Sequence, residues 1–198
     1  LNSPWAYAER EHGLAFLDRH WYHLSWLSVL LLPTAAAFGC AVALRRALYR
    51  AGALRSYRVP VPVIVIGNIT AGGTGKTPLV LWLCDFLKGQ GYDPGIVSRG
   101  YGGRGETMAV RADSAPDLAG DEPVLLAQRS RCPVWIGPDR VDAARALIAA
   151  NPGCNVIVSD DGLQHYRLQR DVEIAVLDGG RSTGNGLLLP AGPLRESS

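Results

Sequence analysis

The chain has 198 residues, with 20 Lys+Arg against 18 Asp+Glu, so its formal net charge is only +2. A hydrophobic fraction of 47% excludes a disordered chain, which needs low hydrophobicity and high net charge. The balanced charge also argues against a nucleic-acid partner, because such proteins carry a strong basic excess. This length is enough for one hydrophobic core and an additional segment.

The four cysteines lie far apart in the sequence, at Cys40, Cys84, Cys132 and Cys154. None belongs to a C-x-x-C pair, and no histidine stands nearby at metal-ligand spacing, so a zinc site is not expected. A chain of this length does not need disulfides to build a core. We therefore expect reduced thiols and a cytoplasmic compartment.

The first predicted element is an apolar segment of 21 uncharged residues, Leu24–Leu44. At 1.5 Å per residue, a helix of this length could cross the roughly 30 Å hydrocarbon core of a membrane. Five arginines and no acidic residue follow it, between Arg45 and Arg58. Because positive flanks stay on the cytoplasmic side, the rest of the chain is predicted to lie there as well.

Two other interpretations of this segment compete with a helix that crosses the membrane. A cleaved signal peptide is disfavoured, because Glu9, Arg10 and Glu11 precede the apolar run and arginines follow it. A helix lying within one leaflet stays open, because Pro33 interrupts the run. We predict that residues 1–58 form a membrane-anchoring helical segment and that residues 59–198 form a separate domain.

From Val59 onward, short apolar runs alternate with helical patterns. This alternation predicts an α/β fold with a mostly parallel sheet flanked by helices. Ligands of such sheets bind at the carboxyl ends of the strands. The predicted strands are 61–66, 96–98, 134–136, 156–159 and 172–177, and the predicted helices are 78–88, 122–129 and 139–150.

A glycine-rich loop follows the first strand and opens a helix, which is the context of a phosphate-binding loop. Its glycines allow several N–H groups to point at phosphate oxygens, while a lysine and a threonine at its end contact the β/γ-phosphates and Mg²⁺. Thr70 stands where the common pattern has its first glycine. The predicted nucleotide-binding residues are Thr70, Ala71, Gly72, Gly73, Thr74, Gly75, Lys76 and Thr77.

Acidic residues that could hold the metal stand at the ends of other elements. Asp160 and Asp161 end an apolar strand, as in the Walker B strand of nucleotide-binding enzymes. Asp121 and Glu122 open a predicted helix. We predict a Mg²⁺ site formed by Thr77, Asp160, Asp161 and Glu122, with ATP as the nucleotide.

Five motifs, in order, closely resemble the tetraacyldisaccharide 4′-kinase family, the lipid A 4′-kinases of Gram-negative bacteria. They are GNITAGGTGKTP, VSRGYGG, GDEPVLL, SDDGLQHYRLQRD and LLPAGPLRE, and the resemblance covers residues 21–196. It implies a P-loop kinase at the cytoplasmic face of the bacterial inner membrane. That kinase transfers the γ-phosphoryl group of ATP to the 4′-hydroxyl of a tetraacyldisaccharide 1-phosphate, with no obligate protein partner.

The resemblance also implies roles for single residues. Lys76 and Asp121 are the expected catalytic residues, with Asp121 orienting or deprotonating the acceptor hydroxyl. The expected lipid-contacting residues are Gln164, His165, Arg195 and Glu196. Family members continue with a further domain that supplies a histidine beside the catalytic aspartate, so we expect this chain to be a fragment.

Two alternatives to an active kinase remain open. The first is a membrane-bound nucleotide switch or partitioning ATPase, although Ala71 stands where that class has a signature lysine. The second is an inactive fragment that binds ATP without turnover.

Overall fold

The computed structural model describes residues 20–72, 75–100, 105–180 and 182–196. The chain divides into two compact units. One comprises Leu1–Ala47, Ile69–Gly72 and Leu177–Ser198, and the other comprises Leu48–Asn68 and Gly73–Val176. The predicted domain boundary between residues 58 and 59 stays a prediction.

Two helices occupy the apolar N-terminal segment, α1 (Trp26–Leu30) and α2 (Leu32–Arg50). Helix α1 begins after Ser25, whose hydroxyl accepts a hydrogen bond from the Ser28 N–H at 3.2 Å. Pro33 lies in the first turn of α2, where a missing N–H leaves no hydrogen bond unmade. The segment therefore folds as a short helix and a long one rather than as one continuous helix.

The predicted apolar membrane helix over Leu24–Leu44 is not found as one continuous helix. Within the described part of the chain, no helix combines the length and the apolar character needed to cross a membrane. The physical reason is that the apolar run is divided at Leu31, and α2 then continues into Arg45, Arg46 and Arg50.

The second unit is built on a six-stranded sheet of order β3-β4-β2-β5-β1-β6. Four neighbouring pairs are parallel and only β3 runs antiparallel, to β4, so the predicted mostly parallel α/β fold is confirmed. The strands are β1 (Val63–Gly67), β2 (Pro94–Ser98), β3 (Met108–Val110), β4 (Val134–Ile136), β5 (Val156–Asp160) and β6 (Val172–Ala175). The helices that follow α2 are α3 (Lys76–Gly89), α4 (Pro116–Ala119), α5 (Asp121–Ser130) and α6 (Arg140–Ala150).

Helices pack against both faces of the sheet. Because side chains alternate along a strand, Ile66, Ile96 and Val158 lie on one face, in a core cluster that also includes residues of α3 and α5. On the opposite face of β2, Gly95 lies against Leu147 of α6. The central strands β2 and β5 are buried throughout, which explains why they are apolar up to their polar carboxyl ends.

The sequence predicted five of the six strands and three of the helices to within two residues at most ends. It missed β3 and α4, each of which has only three or four residues. Neither is long enough to show a periodic apolar pattern. The predicted start of α3 at Pro78 is two residues late, because the helix begins at Lys76.

Gly95 provides a test of this packing. A Cβ atom built at Gly95 would lie 2.5 Å from Leu147 Cδ2 and 2.9 Å from Cys154 Sγ. We expect Gly95→Ala to lower the free energy of unfolding by about 1–3 kcal/mol, as overpacking of a core does. The matched control is Gly89→Ala, where a Cβ would meet nothing within 4 Å. Urea denaturation in which the two variants are equally stable would contradict this packing.

Candidate active site

The candidate site lies at the carboxyl edge of the sheet, where β1 and β5 end side by side. Ile66 of β1 is paired in register with Asp160 of β5. The residues that follow these strands, Asn68 and Asp161, therefore emerge at the same edge. This edge is where ligands of parallel sheets are bound.

Lys76 is held at this edge by two side chains. Its Nζ donates to Asn68 Oδ1 at 3.0 Å and to Asp161 Oδ1 at 2.9 Å. Gly75, the residue before α3, has φ +73°, and Asp161 has φ +50°. Both backbones are in the left-handed region, which glycine adopts freely and aspartate tolerates better than most residues. Backbone geometry thus brings the lysine and the carboxylate together.

Asp160 is buried at the same edge, with 2% of its surface exposed. Ser98 Oγ donates to its Oδ2 at 3.4 Å, while its Oδ1 has no hydrogen-bond partner. Burial, followed by the charges of Glu122 and Asp161, raises the pKa of Asp160 to about 6, against the opposing effect of Lys76 and Arg140. A buried acceptor without a donor is the kind of group that a metal ion or an ordered water molecule would satisfy.

Arg140, the first residue of α6, brings a buried positive charge to these carboxylates. It is 2% exposed, and its guanidinium donates to the Gly137 carbonyl at 3.0 Å. Burial lowers the pKa of Arg140 to about 10, although the charges of Asp160 and Asp161 oppose this shift. At neutral pH the arginine is therefore still charged and partly compensates the two aspartates.

Two of the predicted lipid-contacting residues follow the paired aspartates in the loop after β5. Gln164 donates from its amide nitrogen to the Asn68 carbonyl at 3.3 Å. His165 Nε2 accepts a hydrogen bond from the Arg140 N–H at 3.2 Å and lies 3.6 Å from Asp139 Oδ1. His165 therefore contacts the beginning of α6.

The predicted catalytic aspartate and its neighbour lie at the start of α5. Asp121 and Glu122 are the first two residues of this helix, and both are exposed. Glu122 is close enough for its charge to raise the pKa of Asp160. Asp121 shows no interaction with Lys76 or with the paired aspartates, so its predicted role rests on the sequence alone.

The beginning of the phosphate loop belongs to the other unit, together with the last predicted lipid-contacting residues. Ala71 N–H donates to the Pro193 carbonyl at 2.8 Å, and Arg195 N–H donates to the Ile69 carbonyl at 2.7 Å. Thr70 and Leu194 form an antiparallel bridge between these hydrogen bonds. The LLPAGPLRE motif thus pairs with the loop through its backbone, which places Arg195 directly beside it. Glu196 is buried in the same unit.

The remaining predicted ligands are placed less completely. Gly73 and Thr74 lie outside the described residues. Gly72, with φ +112°, ends the described first part of the loop, and Thr77 is the second residue of α3. Among residues 20–72, 75–100, 105–180 and 182–196, no three His, Cys, Asp or Glu side chains converge into a metal site.

Sequence reasoning missed three residues that the structure brings to this edge: Asn68, Ser98 and Arg140. Asn68 and Ser98 stand inside the quoted motifs, directly after β1 and at the end of β2, so their position was a usable signal. Arg140 had no such signal. Its sequence context is that of an ordinary helix start, and only the fold shows that it is buried.

Comparison with known proteins is consistent with this arrangement. The sequence profile of the family described as "Tetraacyldisaccharide-1-P 4'-kinase" (LpxK) matches residues 27–198. The chain is 55% identical over 189 residues to a tetraacyldisaccharide 4′-kinase from Janthinobacterium sp. (strain Marseille), covering 95% of this chain and 54% of that protein. It is 60% identical over 173 residues to the one from Alkalilimnicola ehrlichii, covering 86% and 52%. The chain therefore spans about half the length of the curated relatives it matches.

A solved structure shows the same fold. The crystal structure of the "apo" form of LpxK from Aquifex aeolicus in complex with ATP superposes with a TM-score of 0.77 at 35% sequence identity. The alignment covers 86% of this chain and 54% of that one. The family profile covers most of the chain, and these relatives agree with it. The chain thus belongs to the tetraacyldisaccharide-1-P 4′-kinase family.

Proposed function

We propose that this chain is the nucleotide-binding part of a lipid A 4′-kinase. The reaction is transfer of the γ-phosphoryl group of ATP to the 4′-hydroxyl of a tetraacyldisaccharide 1-phosphate. The observation that carries the proposal is the position of Lys76 at the start of α3, hydrogen-bonded to Asn68 after β1 and to Asp161 after β5. A lysine in this position can exchange those partners for phosphate oxygens.

Mg²⁺ is proposed as the metal that accompanies ATP. Magnesium is usually held by one or two carboxylates together with the phosphates themselves, so a larger cluster of protein ligands is not required. Asp160 fits this role, because it is buried and its Oδ1 lacks a partner. Thr77, Asp161 and Glu122 complete the proposed ligand set. When bound, the ion would offset negative charge on the transferred phosphoryl group.

The acceptor side of the reaction is assigned to residues nearer the lipid. Asp121 is proposed to accept a hydrogen bond from the 4′-hydroxyl, which makes a weak nucleophile more reactive. Arg195 is proposed to contact anionic groups of the lipid, because its backbone is bonded to the phosphate loop. Gln164 and His165 in one unit, and Glu196 in the other, are proposed as further lipid-contacting residues.

We also propose that the chain acts at the cytoplasmic face of the bacterial inner membrane, bound to the membrane surface. Large apolar side chains on and beside α1 support this proposal, since Leu24 is 77% exposed and Trp26 is 74% exposed. Arginines Arg45 and Arg46 follow on α2 and could contact anionic headgroups.

Lys76→Ala tests the nucleotide site. We expect it to weaken Mg-ATP binding by at least about tenfold, because it removes a fixed cation from the phosphates, and tenfold corresponds to about 1.4 kcal/mol. Isothermal titration of the 198-residue chain measures this affinity. Lys88→Ala is the matched control, because Lys88 lies near the other end of α3 and should leave the affinity unchanged. Equal affinity in the Lys76 variant and the parent chain would remove the assignment.

A labelled-phosphate assay tests the reaction itself. We expect the chain, joined to the remaining half of the Janthinobacterium relative, to transfer label from γ-labelled ATP to a tetraacyldisaccharide 1-phosphate in detergent micelles. Asp121→Asn in the same protein should lower the turnover number by about 10²-fold or more, as loss of a general base does. ATP hydrolysis without labelled lipid would instead favour the nucleotide-switch alternative.

Membrane attachment is tested by sedimentation with phosphatidylglycerol vesicles. Trp26→Glu should lower the bound fraction of the chain several-fold, because it places a charge where an aromatic side chain would enter the headgroup region. Trp82→Glu is the control, since Trp82 is also exposed (60%) but belongs to α3 rather than to the apolar N-terminal segment. If both variants sediment like the parent chain, α1 does not bind the membrane.

A further inference from the structure

A second set of reactive side chains lies at the opposite edge of the sheet, where β2, β4 and β5 begin. A cavity of about 510 Å³ opens there, and its lining includes Lys88, Cys132 and Cys154. Because the strands are parallel, this edge is separated from the phosphate loop by the length of the sheet. The proposed kinase reaction uses none of these residues.

Lys88 and Cys132 share one hydrogen-bond acceptor. The Ser130 carbonyl accepts from Cys132 Sγ at 3.4 Å and also from Lys88 Nζ. The thiol and the ammonium group are therefore neighbours on the same oxygen atom. A thiolate formed at Cys132 would lie beside a positive charge, which is the environment that makes cysteines reactive.

Cys132 also has a second thiol within hydrogen-bond reach. Cys84 of α3 is fully buried and forms a side-chain hydrogen bond with Cys132. This bond and the charge of Lys88 lower the pKa of Cys132, although burial opposes the shift. The same bond, together with burial, raises the pKa of Cys84. Burial and contact thus shift the pKa values of the two thiols in opposite directions, and Cys132 is the one of the two that lines the cavity.

Cys154 provides a comparison within the same cavity. It is as buried as Cys132, with 7% of its surface exposed against 8%. Its thiol donates to the Val156 carbonyl at 3.5 Å, and burial raises its pKa. The nearby Cys132 raises the pKa of Cys154 further, whereas Lys88 lowers the pKa of Cys132. Both cysteines therefore line the cavity, but their thiols have different neighbours.

We propose that Cys132 is a reactive thiol that small hydroperoxides oxidise through this cavity, and that Cys84 then resolves the product into an intrachain disulfide. In the first step, the Cys132 thiolate attacks a peroxide oxygen, the O–O bond breaks, and the leaving oxygen takes up a proton. In the second, the Cys84 sulfur attacks the Cys132 sulfenic acid, the S–O bond breaks, and water leaves with the Cys84 proton. The two sulfurs lose two electrons, and hydrogen peroxide is reduced to two water molecules.

The proposal is tested by treating the folded 198-residue chain with hydrogen peroxide and mapping each cysteine by peptide mass spectrometry. The expected first product is a Cys84–Cys132 disulfide, with Cys154 oxidised several-fold more slowly, because Lys88 shares the Ser130 carbonyl with Cys132. This comparison needs no substitution, so it does not depend on how a variant folds. Equal rates at Cys132 and Cys154 would overturn the proposal.

Two substitutions separate the roles of the neighbours. Cys84→Ala should leave Cys132 as a sulfenic acid that dimedone traps, whereas a Cys132–Cys154 disulfide in its place would contradict the resolving role of Cys84. Lys88→Ala should slow oxidation of Cys132 several-fold and leave Cys154 unchanged. A rate at Cys132 that does not depend on peroxide concentration would show that unfolding limits the reaction, and that outcome would also overturn the proposal.

Discussion

The hydrogen-bonded ion pair between Lys76 and Asp161 is the interaction on which the candidate site depends. A cation at the start of a helix is unfavourable, because the helix dipole is positive there, and Lys76 is also mostly buried, with 14% of its side chain exposed. Asp161 and Asn68 compensate both effects. They can do so only because the strand order places β5 beside β1, which brings two segments that are about 90 residues apart to one edge.

The neighbouring residues Asp160 and Asp161 have different surroundings. Asp161 binds the lysine and is about one-third exposed, whereas Asp160 is buried with one oxygen atom unpartnered. Burial makes the ionised form of Asp160 unfavourable, which is why its pKa is raised. The charge of Arg140 lowers that cost, and Asp160 Oδ1 still has no hydrogen-bond partner. A buried carboxylate with an unpartnered oxygen atom lowers the stability of the fold. Such a cost is common at functional sites.

Features of the fold and the site that depend on local interactions could be predicted from the sequence, whereas those that depend on contacts between distant residues could not. The strands β1 and β5, helix α3 and the loop with Lys76 were predictable, because apolar runs, glycines and helix starts are local signals. A single apolar helix over Leu24–Leu44 was expected, and the structure has two helices there. A window of uncharged residues does not register that the chain turns at Leu31 and that α2 extends into arginines. The buried position of Arg140 and the convergence of Lys88 and Cys132 on Ser130 were not predictable, since each depends on contacts between separate elements.

The SDDGLQHYRLQRD motif supplies both residues of the candidate site and residues that hold the fold together. Its first part supplies Asp160 and Asp161 to the site, and His165 contacts the start of α6. Its last residue, Asp171, accepts from the Val63 N–H at 2.9 Å and pairs with Arg58, so it fastens the loop to the beginning of β1. The motif therefore connects both ends of β1: the carboxylates meet the lysine at one end, and Asp171 fixes the strand at the other. A substitution at Asp171 would thus act on the site through the position of β1, although it lies at the opposite end of that strand.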